Sequence, residues 1–92
     1  MKIHVKYLAQ LKNIRGQDQD TLELPSGATI REAIVCLIDK HATKLRDVLL
    51  TNAGDLRPSI LIFTGDGQID LASSEVLTDG QTLTLLSPMA GG

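Results

Sequence analysis

The sequence predicts an α+β domain: a mixed sheet of four to five strands with one main helix lying across one face. Three observations predict it. Strict apolar–polar alternation opens the chain at Lys2–Tyr7, and a second strand pattern, alternating but for Leu86, closes it at Gln81–Ser87. Between them, one amphipathic helix starts at Thr29. Finally, 92 residues leave room for one core only, so that helix must cover that sheet.

Each element follows from its residues. In the first strand Ile3, Val5 and Tyr7 fall on one side and Lys2, His4 and Lys6 on the other, the pattern of a half-buried strand. Ala9–Asp20 is polar, contains Asn13, Gly16 and Asp18, and reads as a long hairpin loop. Alternation resumes at Thr21–Pro25 with Leu22 and Leu24 inward, and Ser26-Gly27 stops it. Thr29 and Glu32 have the spacing of a capping box, in which hydroxyl and carboxylate each satisfy a backbone N–H that the first helical turn leaves open. Ile30, Ala33, Ile34, Leu37, Ile38 and His41 then form one stripe at three- and four-residue spacing. Leu45, Val48 and Leu49 predict a further helical turn after a break near Ala42, and Asn52, Gly54 and Asp55 a loop. Ser59–Thr64 reads as a strand buried on both faces, with a turn at Gly65-Asp66-Gly67, a short return strand at Gln68–Leu71 and a second turn at Asp79-Gly80. In the last strand Leu83 and Leu85 point inward, Thr82, Thr84 and Leu86 outward, and Pro88 ends it.

An N-terminal hairpin, a crossover helix and a last strand returning beside the first make the β-grasp arrangement. The crossover sets the following long strand parallel to another in the sheet. Residues 1–87 form this single domain and 88–92 a flexible tail.

Composition excludes several classes. Net charge −2 and a single Tyr, a single Phe and no Trp speak against a nucleic-acid binder. The apolar runs fall far short of a membrane span, and no leader pattern opens the chain, so a cytoplasmic protein is expected. One cysteine, Cys36, rules out an internal disulfide, and no Cys/His spacing suits a metal. Charge is uneven: residues 1–57 hold all nine Lys and Arg against seven acids, while 58–92 hold no base and four acids, Asp66, Asp70, Glu75 and Asp79. That acidic third either keeps the domain soluble or steers it to a basic partner surface.

No residue set suggests catalysis. His4 and His41 have no nucleophile or carboxylate spaced to partner them. Cys36 lies off the helix's apolar stripe beside Glu32 and Asp39, where acids raise a thiol's pKa and blunt it. Gly65 and Gly67 lack the Lys and the helix of a phosphate-binding loop. The expectation is a protein that is no enzyme by itself and binds no cofactor and no metal.

The chain end stands out. Two terminal glycines arise by chance in about 0.5% of sequences at ordinary usage. A glycine carboxylate has no Cβ beside the reacting carbonyl, and two glycines let the backbone thread a narrow channel. From Pro88 the tail reaches at most about 18 Å. Residues 79–92, Asp-Gly-Gln-Thr-Leu-Thr-Leu-Leu-Ser-Pro-Met-Ala-Gly-Gly, resemble the C-terminal signature of the MoaD/ThiS sulfur-carrier proteins, ubiquitin-like β-grasp domains. The capped helix, Leu56-Arg57-Pro58 and the length resemble the MoaD branch, the small subunit of molybdopterin synthase.

The resemblance implies that a ubiquitin-activating-type adenylyltransferase (MoeB/ThiF-like) uses ATP to adenylate Gly92, and that a persulfide converts the adenylate to a thiocarboxylate. It implies delivery to a sulfur-accepting enzyme such as the molybdopterin synthase large subunit. Gly91, Ala90, Met89 and Pro88 map to the tail, and Leu86 to the outward apolar residue that docks partners. Three readings stay open: sulfur carrier, protein modifier joined through Gly92 to target lysines, and a plain interaction module.

Overall fold

The computed structural model describes residues 1–65, 67–70 and 75–87. The strands are β1 (Lys2–Ala9), β2 (Gln19–Glu23), β3 (Leu61–Thr64), β4 (Gly67–Ile69) and β5 (Thr82–Ser87); the helices are α1 (Gln10–Arg15), α2 (Ile30–Lys40) and α3 (Arg46–Leu49), with a 3₁₀ turn at Thr43–Leu45. One five-stranded sheet has the order β2-β1-β5-β3-β4. β1 and β5 run parallel at its centre, and the other three pairings are antiparallel. The crossover leaves β3 running in the same sense as β2, but the two are not neighbours; the adjacent parallel pair is the first and last strands.

The alternation read from the sequence is the burial observed. Ile3, Val5, Tyr7, Leu22, Leu83 and Leu85 are fully enclosed and meet Ile30, Ala33, Ile34, Leu37 and Ile38 of α2 in one cluster. Each large side chain buried there contributes roughly 1.5–3 kcal/mol. The capping box forms as expected: the Glu32 N–H donates to the Thr29 hydroxyl at 3.3 Å, and the Thr29 N–H donates to the Glu32 carboxylate at 3.1 Å. His41 is the exception in the stripe. It is exposed at the C-cap, and Ala42 takes the buried place instead. The helical turn at Leu45–Leu49 is present.

Two expectations are corrected. Leu61 and Phe63 are only half-buried while Ile62 is enclosed, so β3 has one covered face rather than two. More consequentially, Ala9–Asp20 is not a plain loop. It contains α1, whose Leu11 is fully buried and whose end is closed by Gly16 at φ 84°, with its N–H donating to the Lys12 carbonyl. A left-handed residue there favours glycine. A six-residue helix has too few internal bonds to stand alone, so periodicity could not announce it.

Asp20 holds this segment down. The alternation of β2 turns its carboxylate inward, leaving it 9% exposed. It accepts four hydrogen bonds: from the Tyr7 hydroxyl at 2.6 Å, Arg15 Nε at 2.7 Å, Arg15 Nη2 at 2.9 Å and Gln17 Nε2 at 2.6 Å. A buried carboxylate is tolerated only with such compensation. Burial, and then the bond to Asp20, push the Tyr7 hydroxyl far above its ordinary pKa. The bond to Asp20 likewise raises Arg15.

Ala9, between β1 and α1, sits at φ 55°, ψ −130°, the one non-glycine with positive φ among the described residues. That conformation strains an L side chain by about 1–3 kcal/mol. Its methyl is exposed, so nothing in the core is lost on removing it. Ala9→Gly should therefore stabilise the domain by about 1 kcal/mol, net of the looser unfolded chain, and raise Tm by roughly 4–8 °C. A lower Tm in thermal melts would show that Ala9 is not strained.

Tyr7 gives a pH prediction. Its folded pKa is raised, so the stability it contributes is complete below the unfolded value near 10 and is lost as pH rises towards the folded one. Over that window unfolding should ease by about 1.4 kcal/mol per pH unit, a slope that Tyr7→Phe removes. Tyr7 is the sole tyrosine, so tyrosinate absorbance reads it directly. The signal should appear only as the fold is lost, and a native-state titration near pH 10 would contradict the burial argument.

Candidate functional site

The site expected from sequence is the chain end and the strand that launches it. β5 lies between β1 and β3, so its end emerges from mid-sheet rather than from an edge. Ser87, the last described residue, pairs with Ala9 and is 4% exposed, on the same face as Leu83 and Leu85. Pro88, Met89, Ala90, Gly91 and Gly92 lie outside the described residues.

Leu86 is on the opposite, outer face as expected, though half-buried rather than exposed. The register explains the partial cover. Leu86 is directly opposite Leu8 on one side and Leu61 on the other. Side chains so placed are about 5 Å apart and shade one another. One step along, Phe63 and Lys6 flank Thr84. The outer face thus carries an apolar row, Leu8–Leu86–Leu61, with Phe63 adjoining it, at the end of the sheet where the tail begins. Leu8 is 38% exposed. Apolar side chains gathered on an open face mark an interaction surface more strongly than any one alone.

Sequence reading found Leu86 and missed its neighbours. The signal was present: extending the alternation of the first strand by one residue puts Leu8 on the Lys6 side, and the parity of β3 puts Leu61 and Phe63 together.

Beside the row, an open cleft of about 510 Å³ lies between Leu56–Pro58 and the β3–β4 hairpin, with Leu61 and Ile69 in its wall. Arg57 fixes that loop by donating from Nε to the Asp47 carbonyl at 2.7 Å and from its N–H to the Leu49 carbonyl at 2.8 Å.

The other candidates separate. His4 is exposed on the outer face and His41 at the end of α2, on different elements. Cys36 is half-buried: it lines an open surface cleft with Glu32 and Asp39, as expected, and also packs against the edge of the core. Among the described residues no group of acids, histidines and cysteine could hold a metal ion. Nor is any helix among them long and apolar enough to cross a membrane. Of the acidic third, Asp66 falls outside the described residues. Asp79 is engaged with the backbone of β1. Its carboxylate accepts the Lys2 N–H at 2.7 Å, while the Gly80 N–H donates to the Lys2 carbonyl at 2.7 Å. That carboxylate sits at the start of β5, the far end from the tail.

No family profile matches the chain, and neither does any curated protein. Solved structures match it along its length. SAMP1 from Haloferax volcanii, a small archaeal modifier protein, is 23% identical with a TM-score of 0.88, all of both chains being covered. The fold is the ubiquitin-like β-grasp. A chain of the complex of subunits 1 and 2 of the molybdopterin-converting factor from Helicobacter pylori is 22% identical, with a TM-score of 0.62 and full coverage of both chains. A chain of the BexX/CysO complex from Amycolatopsis orientalis is 27% identical, with a TM-score of 0.66, covering 98% of this chain and 99% of that one. The β-grasp architecture expected from the order of elements is therefore the one observed, and its neighbours include the type of protein that residues 79–92 resemble.

The half-buried row makes a testable statement. Leu86→Lys should leave the domain folded, because a lysine stem can lie along Leu8 and Leu61 with its charge in water. A protein that docks on this face should lose about tenfold or more in affinity, the usual effect of truncating a central apolar contact. Calorimetric titration with the docking partner and a melt of the variant check both halves. A variant that melts at ambient temperature would place Leu86 in the core.

Proposed function

We propose that the chain is a sulfur carrier of the MoaD/ThiS type, a protein co-substrate whose Gly92 carboxylate is the reacting group. The observation that carries this reading is the apolar row around Leu86, lying where the β5 strand runs into a Gly-Gly tail. A docking face and a threadable terminus are what a partner's active site needs: one holds the globular body outside while the other enters.

The chemistry follows from the carboxylate. A carboxylate is a poor acyl donor because oxide is a poor leaving group. A ubiquitin-activating-type adenylyltransferase solves this by letting the Gly92 oxygen attack the α-phosphate of ATP, with pyrophosphate leaving. The terminal sulfur of a persulfide then attacks the acyl carbon and AMP leaves. A thiol cleaves the resulting acyl disulfide, and the thiocarboxylate is free to pass its sulfur to an accepting enzyme. The neighbours solved as complexes, the molybdopterin-converting factor subunits and BexX/CysO, support an accepting partner. The pathway supplied is molybdopterin synthesis or a related one.

A second reading is favoured by one observation, the 0.88 TM-score to a small archaeal modifier protein. There the same adenylate meets a lysine amine of a target protein, and an isopeptide bond forms through Gly92.

Intact-mass measurement after incubation with the adenylyltransferase, ATP and a persulfide donor tests the carrier reading. The expected product differs from the parent by one oxygen exchanged for sulfur at the terminus. Deleting Gly92, or adding a residue beyond it, should abolish that product while Tm stays within the range of a surface change. Thiocarboxylate on a tail-extended chain that remains uncleaved overturns the reading, and lysine-linked conjugates in place of thiocarboxylate select the modifier.

A further inference from the structure

We propose that Arg15, Asp20 and Tyr7 form a latch that holds Ser87, the end of β5 and the root of the chain's last five residues, in its covered place; its functional half rests on the reading of Gly92 given above. Ser87 is the anchor. It is buried on the core side at the end of β5, pairs with Ala9, and lies at the end of the sheet where α1 packs against β5 and β1. α1 therefore keeps the root of the tail covered, and whatever holds α1 holds that root.

Little of α1 holds itself. It has six residues, Leu11 alone is buried, and its N-cap is the strained Ala9 with no side-chain hydrogen bond. The other end is where it is fastened. Arg15 makes a two-pronged contact with Asp20 in β2, and Asp20 accepts the Tyr7 hydroxyl from β1. A helix too short to persist is thus tied to two strands through one buried carboxylate. Such polar clusters are costly when half made, so losing one member loosens the rest. The three are positioning residues: none touches the reacting carboxylate. They act by leaving a partner less chain to order when the tail enters its active site.

Two measurements test this. In the first, Ser87→Cys is introduced in a Cys36→Ala background, and the rate of labelling by a small disulfide reagent reads the cover over position 87. Labelling should be slow in this parent and at least tenfold faster with Arg15→Gln or Asp20→Asn, at temperatures where circular dichroism shows a folded domain. Arg15→Lys, which keeps one charged donor, should restore most of the protection. If Asp20→Asn does not fold, Arg15→Gln and Tyr7→Phe carry the test. In the second, ATP–pyrophosphate exchange by the adenylyltransferase is followed with the full chain carrying the native Ser87 and Cys36. Arg15→Gln should raise KM about tenfold, the effect of freeing roughly one residue of backbone, with kcat unchanged and Arg15→Lys close to the parent. Labelling rates that no latch variant changes overturn the proposal. Faster labelling with an unchanged KM overturns it too. If the parent chain is never adenylated while labelling behaves as stated, the proposed function fails and the latch stands.

Discussion

The parallel pairing of β1 with β5 is the constraint on which the rest depends. Placing the chain's first and last strands side by side at the centre of the sheet commits both to burial on one face and hydrogen bonding on both edges. Everything between must then be arranged around that pair: β2 folds back on one side, α2 crosses the covered face, and β3 and β4 complete the other side. The start of the pair is pinned by its own turn, where Asp79 and Gly80 receive and donate to Lys2. Its far end is where the chain leaves. The end of a central strand is held by neighbours on both sides, which an edge strand could not provide.

The same pairing decides what the outer face looks like. Once Ile3, Val5 and Tyr7 are turned inward, parity sends Lys2, His4, Lys6 and Leu8 outward, and register lines up Leu8 with Leu86 and Leu61. The apolar row is therefore a consequence of register, not of any run visible in one segment. Charge on this molecule also reads differently in three dimensions. The acids after Arg57 form a block along the chain, but Asp79 sits at the opposite end of β5 from the tail and is engaged with backbone. A linear count of charge is a poor guide to a surface when strands fold back on themselves.

Much of this was legible in the sequence, and the gaps share a cause. Period-two and period-3.6 patterns report whether a side chain faces the core, so the inward residues of β1 and β5 and the stripe of α2 were readable. The capping box at Thr29 was readable because its two residues satisfy each other locally. What escaped depended on partners far along the chain. α1 offers one buried residue, and its fastening joins Tyr7, Arg15 and Asp20 across two strands and a turn. Asp20 could have been suspected, since it shares the parity of Leu22 and Leu24 and an inward acid demands donors. Leu8 and Leu61 escaped because neither is next to Leu86 in sequence. His41 misled because periodicity runs on for a residue after the helix has ended.

Geometry alone can determine the rate of a reaction between proteins, by fixing how two partners meet. The described residues place no catalytic group near the end of β5; they place apolar side chains on one side of it and buried attachments on the other. Those two features act differently. Under the proposed function, the outer row would contribute affinity shared by every stage at which a partner is bound, which lowers KM without favouring one chemical step. Under the same reading, the covered root would limit how much chain must be ordered when the terminus enters a partner's channel. If the chain is the carrier proposed above, it must be released as well as captured, and a modest row of leucines suits that better than a large apolar face.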